Sequence, residues 1–179
     1  MIKFINYIAL LIITLILAIS CTNDSEMQNY FVKHQDDTNF LAIDLPASLL
    51  GIDTKDVSDE VKDAVNSFKK VNVLALKKND NNTADYEKEK KAIKKILAKK
   101  QYKELMRFKD GNTMVTIKYL GDEKSINQLI VFGYASDKGL ALVRILGDKM
   151  DAKKVAKLAM LARSGKIDTS KLKGLGDMF

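Results

Sequence analysis

The clearest hydrophobic pattern in this chain lies between Tyr102 and Leu146, where the apolar residues of four consecutive segments are spaced as in β-strands. In the first segment, Tyr102, Met106 and Phe108 fall on one face of an extended chain, and most residues between them are charged. Short turn sequences separate the four segments. The pattern predicts a four-stranded antiparallel meander whose first strand has one covered face and one solvated face.

The turn between the first two of these strands carries Asp110-Gly111, a dipeptide that favours positive φ at both central positions of a type I′ turn. Val115 and Ile117 then return on one face of the second strand. The third segment, 126–134, is apolar on both alternating sets of positions, which is typical of a strand covered on both faces. The last segment is predicted to end at Gly147-Asp148.

The segment before the meander predicts a strand, a helix and a second strand. The strands are assigned to 40–45 and 71–76, and apolar residues between Val57 and Phe68 recur at helical spacing. Asp44 is the one charge inside the first strand, and a position at a sheet edge explains it. The order is a β-α-β unit, and the crossover should be right-handed if its two strands share a sheet and run parallel.

Two further helices are predicted on either side of the meander. The first has a narrow apolar stripe between Tyr86 and Leu97, and the second covers 151–163 with Asp151 able to cap its start. Together these elements predict one α+β domain over 31–163, in which the β-α-β unit is followed by a helix, the four-stranded antiparallel meander and a closing C-terminal helix.

The first 20 residues have the composition of a secretory signal. Lys3 precedes a short apolar run, and Ala18-Ile19-Ser20 leads to Cys21. The segment Ala18-Ile19-Ser20-Cys21 resembles a bacterial lipobox, in which the cysteine thiol receives diacylglycerol before the signal is cleaved. The interpretation is a signal peptide over 1–20 and lipidation of Cys21, with an uncleaved signal anchor or a coincidental cysteine as the alternatives.

Cys21 is the single cysteine in the chain, which excludes an intramolecular disulfide, a CxxC pair and a thiolate zinc site. Acyl chains on this residue would anchor the protein in a membrane, which is therefore its first expected partner. The expected location is the outer membrane, on either its periplasmic or its surface face. The residues after it are polar and lack a periodic apolar pattern, so 21–30 is interpreted as a lipidated tether. The last segment, 164–179, is interpreted as a flexible tail.

The formal net charge is +7, and lysines cover most of the helix that contains residues 88–100. Such a charge run is usually a solvated face, and the alternative is a surface that contacts anionic lipid headgroups or polyanions. The extracytoplasmic address argues against nucleic acid as a partner. The candidate contacts are Lys90, Lys91, Lys94 and Lys95.

The closing helix carries two apolar residues beyond the stripe that one sheet face needs, Met160 and Leu161. They indicate either a well-buried helix or a face that binds a partner. The candidate partner is another protein of the envelope.

Catalytic chemistry has little support in the sequence. The chain has one histidine, His34, next to Asp36 and Asp37 in a polar segment, and neighbouring residues of this kind do not make a metal or acid/base site. Nearly every carboxylate falls in a turn, a cap or a solvated helix face. We therefore expect no catalytic residues, no metal and no cofactor, and a non-enzymatic interaction or regulatory module.

The order of features is similar to that of a known family. The segment 39–50, the strand at 71–74, the residues 102–106 before Asp110-Gly111, and 146–151 before the last helix resemble the DUF4252 family of small, mostly Bacteroidota envelope proteins. The resemblance covers roughly 31–162 and implies an α+β domain on a lipid anchor. It implies no catalytic residues, because no function is assigned to this domain.

Overall fold

The structure, a computed structural model, describes residues 25–52 and 57–166. Within this part of the chain, six strands form one sheet and four α-helices pack on it. The strands are β1 (Leu41–Pro46), β2 (Phe68–Lys77), β3 (Lys103–Asp110), β4 (Thr113–Asp122), β5 (Ser125–Ala135) and β6 (Gly139–Met150). The helices are α1 (Ser25–His34), α2 (Asp59–Asn66), α3 (Thr83–Leu97) and α4 (Ala152–Arg163), and a 3-10 turn (Ala47–Leu50) follows β1.

The sheet is antiparallel throughout, in the order β1-β2-β6-β5-β4-β3. The predicted α+β class and the meander from β3 to β6 are confirmed. The two strands of the β-α-β unit are neighbours but run antiparallel, with Ile43 opposite Val73, so the right-handed parallel crossover does not arise. Strand β1 lies at the edge as Asp44 predicted, and the exposed Asp44 carboxylate pairs with Lys70 Nζ at 2.8 Å.

The hairpin between β3 and β4 is present, but its turn differs from the predicted one. Asp110 pairs with Thr113, so the two central residues are Gly111 and Asn112. Only Gly111 has positive φ, at 55°, which matches a type II′ turn and not the type I′ turn predicted from Asp110-Gly111. In the observed strand register, Gly111 occupies the first central position of the turn and not the second position that the sequence predicted.

Strand β6 continues past Gly147-Asp148, where the sequence predicted its end. It reaches Met150, which lies opposite Ile126, and the register shifts between Ile126 and Gln128. Lys149 has a positive φ of 51° in this irregular stretch. A bulge of this kind absorbs extra residues in one strand and keeps the ladder intact on either side.

Helix α1 corrects the predicted tether. Residues 25–30 were expected to belong to a polar linker, but they form the first turns of a helix whose Met27, Tyr30 and Phe31 are buried. The spacing of i, i+3 and i+4 makes one apolar face. This apolar face could not be recognised in the sequence, because Met27 is the one apolar residue between Ser25 and Tyr30. The signal peptide (1–20), Cys21 and residues 167–179 of the tail lie outside the described residues.

The helices divide into two pairs, one on each face of the sheet. Helices α1 and α3 pack on the first face with Leu74, Leu142 and Phe132. Helices α2 and α4 pack on the second face. Asp151 caps α4 as predicted, because its side chain accepts hydrogen bonds from the backbone N–H groups of Lys153 and Lys154 at 2.8 and 3.1 Å.

Candidate functional site

An unbroken row of apolar side chains crosses the second face of the sheet. In the central strands, Val73 lies opposite Val143, and Val143 lies opposite Val131. Residues directly opposite one another in an antiparallel ladder project to the same face, so the register alone defines the row. The complete row is Ile43, Val73, Val143, Val131, Ile117 and Met106.

The two faces of the central strands differ in how far the helices cover them. On the first face, Leu142 and Phe132 are 0 % and 2 % exposed beneath α1 and α3. On the second face, Val131, Val143 and Ile145 are only half-buried, although they belong to the same two strands. Helices α2 and α4 therefore leave part of an apolar sheet face open to solvent.

This open part is a cavity of about 560 Å³, which we call the apolar groove. Strands form its floor, α4 forms one wall, and Leu50 and Ile52 from the segment after β1 close another side. Arg163 stands at its margin, with the guanidinium carbon 4.8 Å from the centroid of the Phe108 ring. The remaining lining residues are all apolar: Leu45, Phe68, Val71, Val73, Val115, Ile117, Leu129, Val131, Val143, Ile145, Val155, Leu158, Ala159 and Ala162.

Two ion pairs fix α4 against α2. Lys154 Nζ lies 2.7 Å from Asp63 Oδ2, and Lys157 donates a hydrogen bond to Glu60. The hydrogen bond from Lys157 lowers the pKa of Glu60, and the hydrogen bond to Asp63 raises the pKa of Lys154. Both pairs lie at the surface, so they orient the wall of the groove more than they stabilise the fold.

A second cavity, of about 420 Å³, lies between α1 and strands β1, β2 and β6 and has a more polar lining. Arg144, 6 % exposed, donates through Nε to Gln128 Oε1 at 3.0 Å and through Nη1 to Gln28. The Oδ1 atom of Asn72 is buried there and has no hydrogen-bond partner within the described part of the chain. The arginine is thus held between two amide side chains, one from α1 and one from β5.

Tyr30, His34 and Glu89 form a buried polar cluster between α1 and α3. The Tyr30 hydroxyl donates to Glu89 Oε2 at 2.9 Å, and His34 Nε2 lies 3.3 Å from the same oxygen. His34 Nδ1 donates to the Tyr30 carbonyl at 2.8 Å. Burial, and then the hydrogen bond to Glu89, raise the pKa of Tyr30 far above its ordinary value. The three groups satisfy one another inside the core.

The four lysines singled out in the sequence have different surroundings in the structure. Lys90 is half-buried and pairs with Glu87 at 2.6 Å, and Lys94 lies 4.2 Å from the centroid of the Tyr134 ring. Lys91 and Lys95 are exposed, and neither forms an ion pair with a described residue. All four belong to α3, on the side of the sheet opposite the apolar groove.

The residues predicted as a partner face separate into two environments. Met160 is 55 % exposed on the outside of α4, whereas Leu161 is half-buried and packs against the core beneath α4. Neither lines the apolar groove, which α4 faces through Val155, Leu158 and Ala159. Cys21, the predicted lipidation site, lies outside the described residues.

Sequence reasoning missed the groove and the buried cluster for different reasons. The groove was masked because β5 is apolar on both alternating sets, a pattern that predicts coverage of both faces. The signal that could have found it is the shortness of α2, at eight residues, against the breadth of a six-stranded sheet. The cluster has no local signal, since His34 and Glu89 are distant in sequence and meet only in the fold.

Among residues 25–52 and 57–166, no group of three His, Cys, Asp or Glu side chains is placed to hold a metal ion. No helix in these ranges has the length and apolar character to cross a membrane. No curated protein and no solved structure matches the chain. A family model, described as a domain of unknown function (DUF4252), matches residues 30–158, from the middle of α1 into α4, and the chain therefore belongs to this family.

Proposed function

We propose that this protein is a lipid-anchored, non-enzymatic interaction module of the bacterial envelope, and that it binds an apolar group of another envelope component in the apolar groove. The half-buried valines of the central strands carry this proposal. Exposed apolar surface of this extent costs free energy in water and is typical of interaction sites. Met160, exposed on the outside of α4, is a second apolar position where a protein partner could make contact.

The anchor in this proposal is Cys21, and its distance from the fold is short. Only Thr22, Asn23 and Asp24 separate it from the start of α1 at Ser25. An extended chain gains at most roughly 3.6 Å per residue, so the anchored cysteine would hold the first turn of α1 within roughly 15 Å of the membrane surface. The domain would then sit close to the bilayer and not at the end of a long linker.

The placement of the acidic and basic groups supports a binding role over catalysis. The one histidine is enclosed with Glu89 and Tyr30 in the core, where its ring nitrogens are both engaged. Among the described residues, the groove lining has a single charged side chain, Arg163, and no carboxylate. General acid/base chemistry needs a positioned proton donor and acceptor at the bound group, and this lining supplies neither.

The anchor is tested by growing cells with an alkyne analogue of palmitate and separating soluble from membrane fractions. We expect the wild type to carry the label and to sediment with outer-membrane markers. Cys21→Ala should lose the label and retain the uncleaved signal, because acylation of the cysteine precedes cleavage. Protease treatment of intact and lysed cells then assigns the periplasmic or the surface face. An unlabelled, soluble wild type would contradict the proposal.

The groove is tested with a photo-reactive phenylalanine analogue at Ala162, which lines it, and at Ala84, an exposed alanine on α3. Illumination of intact cells should give a discrete adduct, either protein or lipid, at position 162 only. Adducts of equal yield at both positions, or none at position 162, would remove the groove as the interaction site.

The lysine-rich helix α3 is a second candidate surface, for anionic lipid headgroups. The observation that favours it is the contact between Lys99 and Glu26, which places the C-terminal end of α3 beside the first turn of α1. That turn follows Cys21 by a few residues, so Lys95 and Lys99 would lie close to the headgroups of an anchored protein. Each lysine near an anionic bilayer contributes about 1 kcal/mol.

This second candidate is tested with the mature chain, residues 21–179 with Cys21→Ala, which has neither the signal nor the anchor, and vesicles of phosphatidylcholine with or without phosphatidylglycerol. Flotation with the anionic vesicles should decrease with salt and with Lys91→Glu or Lys95→Glu. Lys109→Glu, an exposed lysine of β3, is the matched control. Flotation that is independent of lipid charge would exclude headgroup binding.

A further inference from the structure

We infer that the apolar groove takes one alkyl chain of an anionic amphiphile, with the acid group of that molecule at Arg163. The inference rests on the proposed function, since it names the chemical class of the group that occupies the same groove. Three properties of the groove support it: the chemistry of its lining, the pairing of the strands that form its floor, and the position of Arg163.

The lining offers apolar contacts and almost nothing else. Val73, Val131 and Val143 form the centre of the floor, and the wall from α4 is aliphatic. A ligand gains free energy here in proportion to the apolar area that it removes from water. A methylene chain fits this requirement along its whole length.

The floor cannot satisfy the backbone of a bound extended peptide. Strands β2, β6, β5 and β4 each have a neighbour on both sides, so their N–H and C=O groups are used in the ladders of the sheet. A peptide lying on this face would lose water from its own N–H and C=O groups and find no replacement, which is costly. An alkyl chain has no such groups, and this difference favours it as the occupant.

The size of the groove agrees with one small amphiphile. Its volume of about 560 Å³ falls within the range of about 300–1,000 Å³ that is common for small-molecule sites. It is partly open to solvent, so a polar head can stay in water while the chain lies on the floor. This volume suits one chain and is small for the whole of a two-chain phospholipid.

Arg163 gives the groove an end with a charge. Its guanidinium lies against the Phe108 ring, and among the described residues no carboxylate pairs with it. A guanidinium held on an aromatic face keeps its N–H donors free at the edge, where a carboxylate can accept two of them in parallel. The groove thus has an apolar body and a cationic margin, which is the complement of a fatty acid.

The experiment uses the purified mature chain, residues 21–179 with Cys21→Ala, so that neither the apolar signal nor an anchor of its own competes, and cis-parinaric acid, a fluorescent long-chain fatty acid. We expect saturable binding that palmitate displaces. The methyl ester of the same probe should bind more weakly, because it carries no charge for Arg163. Arg163→Gln should weaken binding of the acid about tenfold, the equivalent of roughly 1.4 kcal/mol, and leave the ester unchanged.

Ala159→Phe tests the groove itself, because the added ring would fill the space beside α4. Binding should fall at least about tenfold, whereas Ala84→Phe on the exposed side of α3 should bind as the parent does. Circular dichroism and urea unfolding establish that both variants are folded. If Ala159→Phe misfolds, Ala162→Leu, a smaller addition to the same wall, replaces it.

Several outcomes would overturn the inference. They are no saturable binding of the acid, equal binding by Ala159→Phe and its parent, and equal loss in Ala159→Phe and Ala84→Phe. A protein adduct at position 162 in cells, together with no binding of the fatty acid, would contradict the alkyl-chain inference but would still support the proposed interaction module. A dimer that dissociates in Ala159→Phe would show a second copy of the chain as the occupant, which also overturns it.

Discussion

The Nε2 atom of His34 lies 3.3 Å from the carboxylate oxygen Oε2 of Glu89, and both side chains are less than a tenth exposed. Because the other ring nitrogen of His34 donates to a backbone carbonyl, a favourable contact at Nε2 requires one proton between this atom and Glu89. The contact is a buried hydrogen bond between two helices. It ties α1, close to the predicted anchor, to α3.

The first prediction is that Glu89→Ala strongly destabilises the fold. The change removes the acceptor of the Tyr30 hydroxyl and the carboxylate in contact with His34, and breaking one partner of a buried pair costs about 3–5 kcal/mol. Urea unfolding measures the change in the free energy of unfolding. Glu87→Ala, an exposed glutamate on the same helix that pairs with Lys90, should cost about 0–1 kcal/mol. Equal costs for the two variants would contradict the buried cluster.

The second prediction concerns alkaline pH and Tyr30. Burial raises the pKa of Tyr30 in the folded state above its unfolded value of about 10, so near pH 11 the unfolded chain has lost a proton that the folded chain keeps. The stabilising contribution of Tyr30 is therefore complete below pH 10 and decreases as the pH rises further. The free energy of unfolding of the wild type should exceed that of Tyr30→Phe by about 1–3 kcal/mol at pH 7, and this difference should decrease above pH 10.

Unfolding curves of the two proteins between pH 7 and about pH 11 check this sign. The difference between wild type and Tyr30→Phe removes the contribution of every other tyrosine and lysine, which titrate in both proteins. A difference that grows with pH would mean that the Tyr30 hydroxyl ionises more easily in the fold than in the unfolded chain.

The third prediction is that Met27 belongs to the core. Its side chain is 0 % exposed, so Met27→Ala should cost about 2–5 kcal/mol, as for other large buried side chains. Val32→Ala on the same helix is the control, because Val32 is 51 % exposed. This substitution should change the free energy of unfolding by no more than about 0.5 kcal/mol. If Met27→Ala were as mild as Val32→Ala, residues 25–30 would behave as the tether that the sequence predicts.

These residues also indicate how far sequence alone could reach. The meander was predictable because alternation, as in Met106 and Phe108, is a local property of the chain. Helix α1 was not, since its apolar face depends on Met27 alone before Tyr30. The bond between His34 and Glu89 could not be predicted by any local pattern, because only the packing of α1 against α3 brings the two side chains together.

The apolar groove marks a further limit. The sequence indicates correctly that the central strands have apolar residues on both faces, and Leu142 and Val143 are consecutive examples in β6. Whether both faces are covered depends on the length and position of the helices. Leu142 is buried beneath α1 and α3, whereas α2 and α4 leave Val143 half-buried. Sequence patterns report the apolar character of a face, but not how much of that face another element covers.

The fourth prediction follows from this difference between the two faces. Ile130 in β5 is 0 % exposed on the covered face, and Ile145 in the neighbouring β6 is half-buried in the groove. Both are isoleucines in central strands, so replacement by alanine removes the same atoms and the same strand preference. Ile130→Ala should cost about 2–5 kcal/mol, since it leaves a cavity in the core. Ile145→Ala should cost about 1 kcal/mol, because part of its surface already meets water.

Addition of palmitate to both variants separates the effects of packing and binding. A ligand that binds only the folded state stabilises it in proportion to its affinity, so Ile130→Ala should gain as much stability from palmitate as wild type does. Ile145→Ala should gain less, because the removed atoms belong to the floor of the groove. If Ile145→Ala cost as much as Ile130→Ala and responded to palmitate in the same way, Ile145 would be a core residue and the groove would be closed in solution.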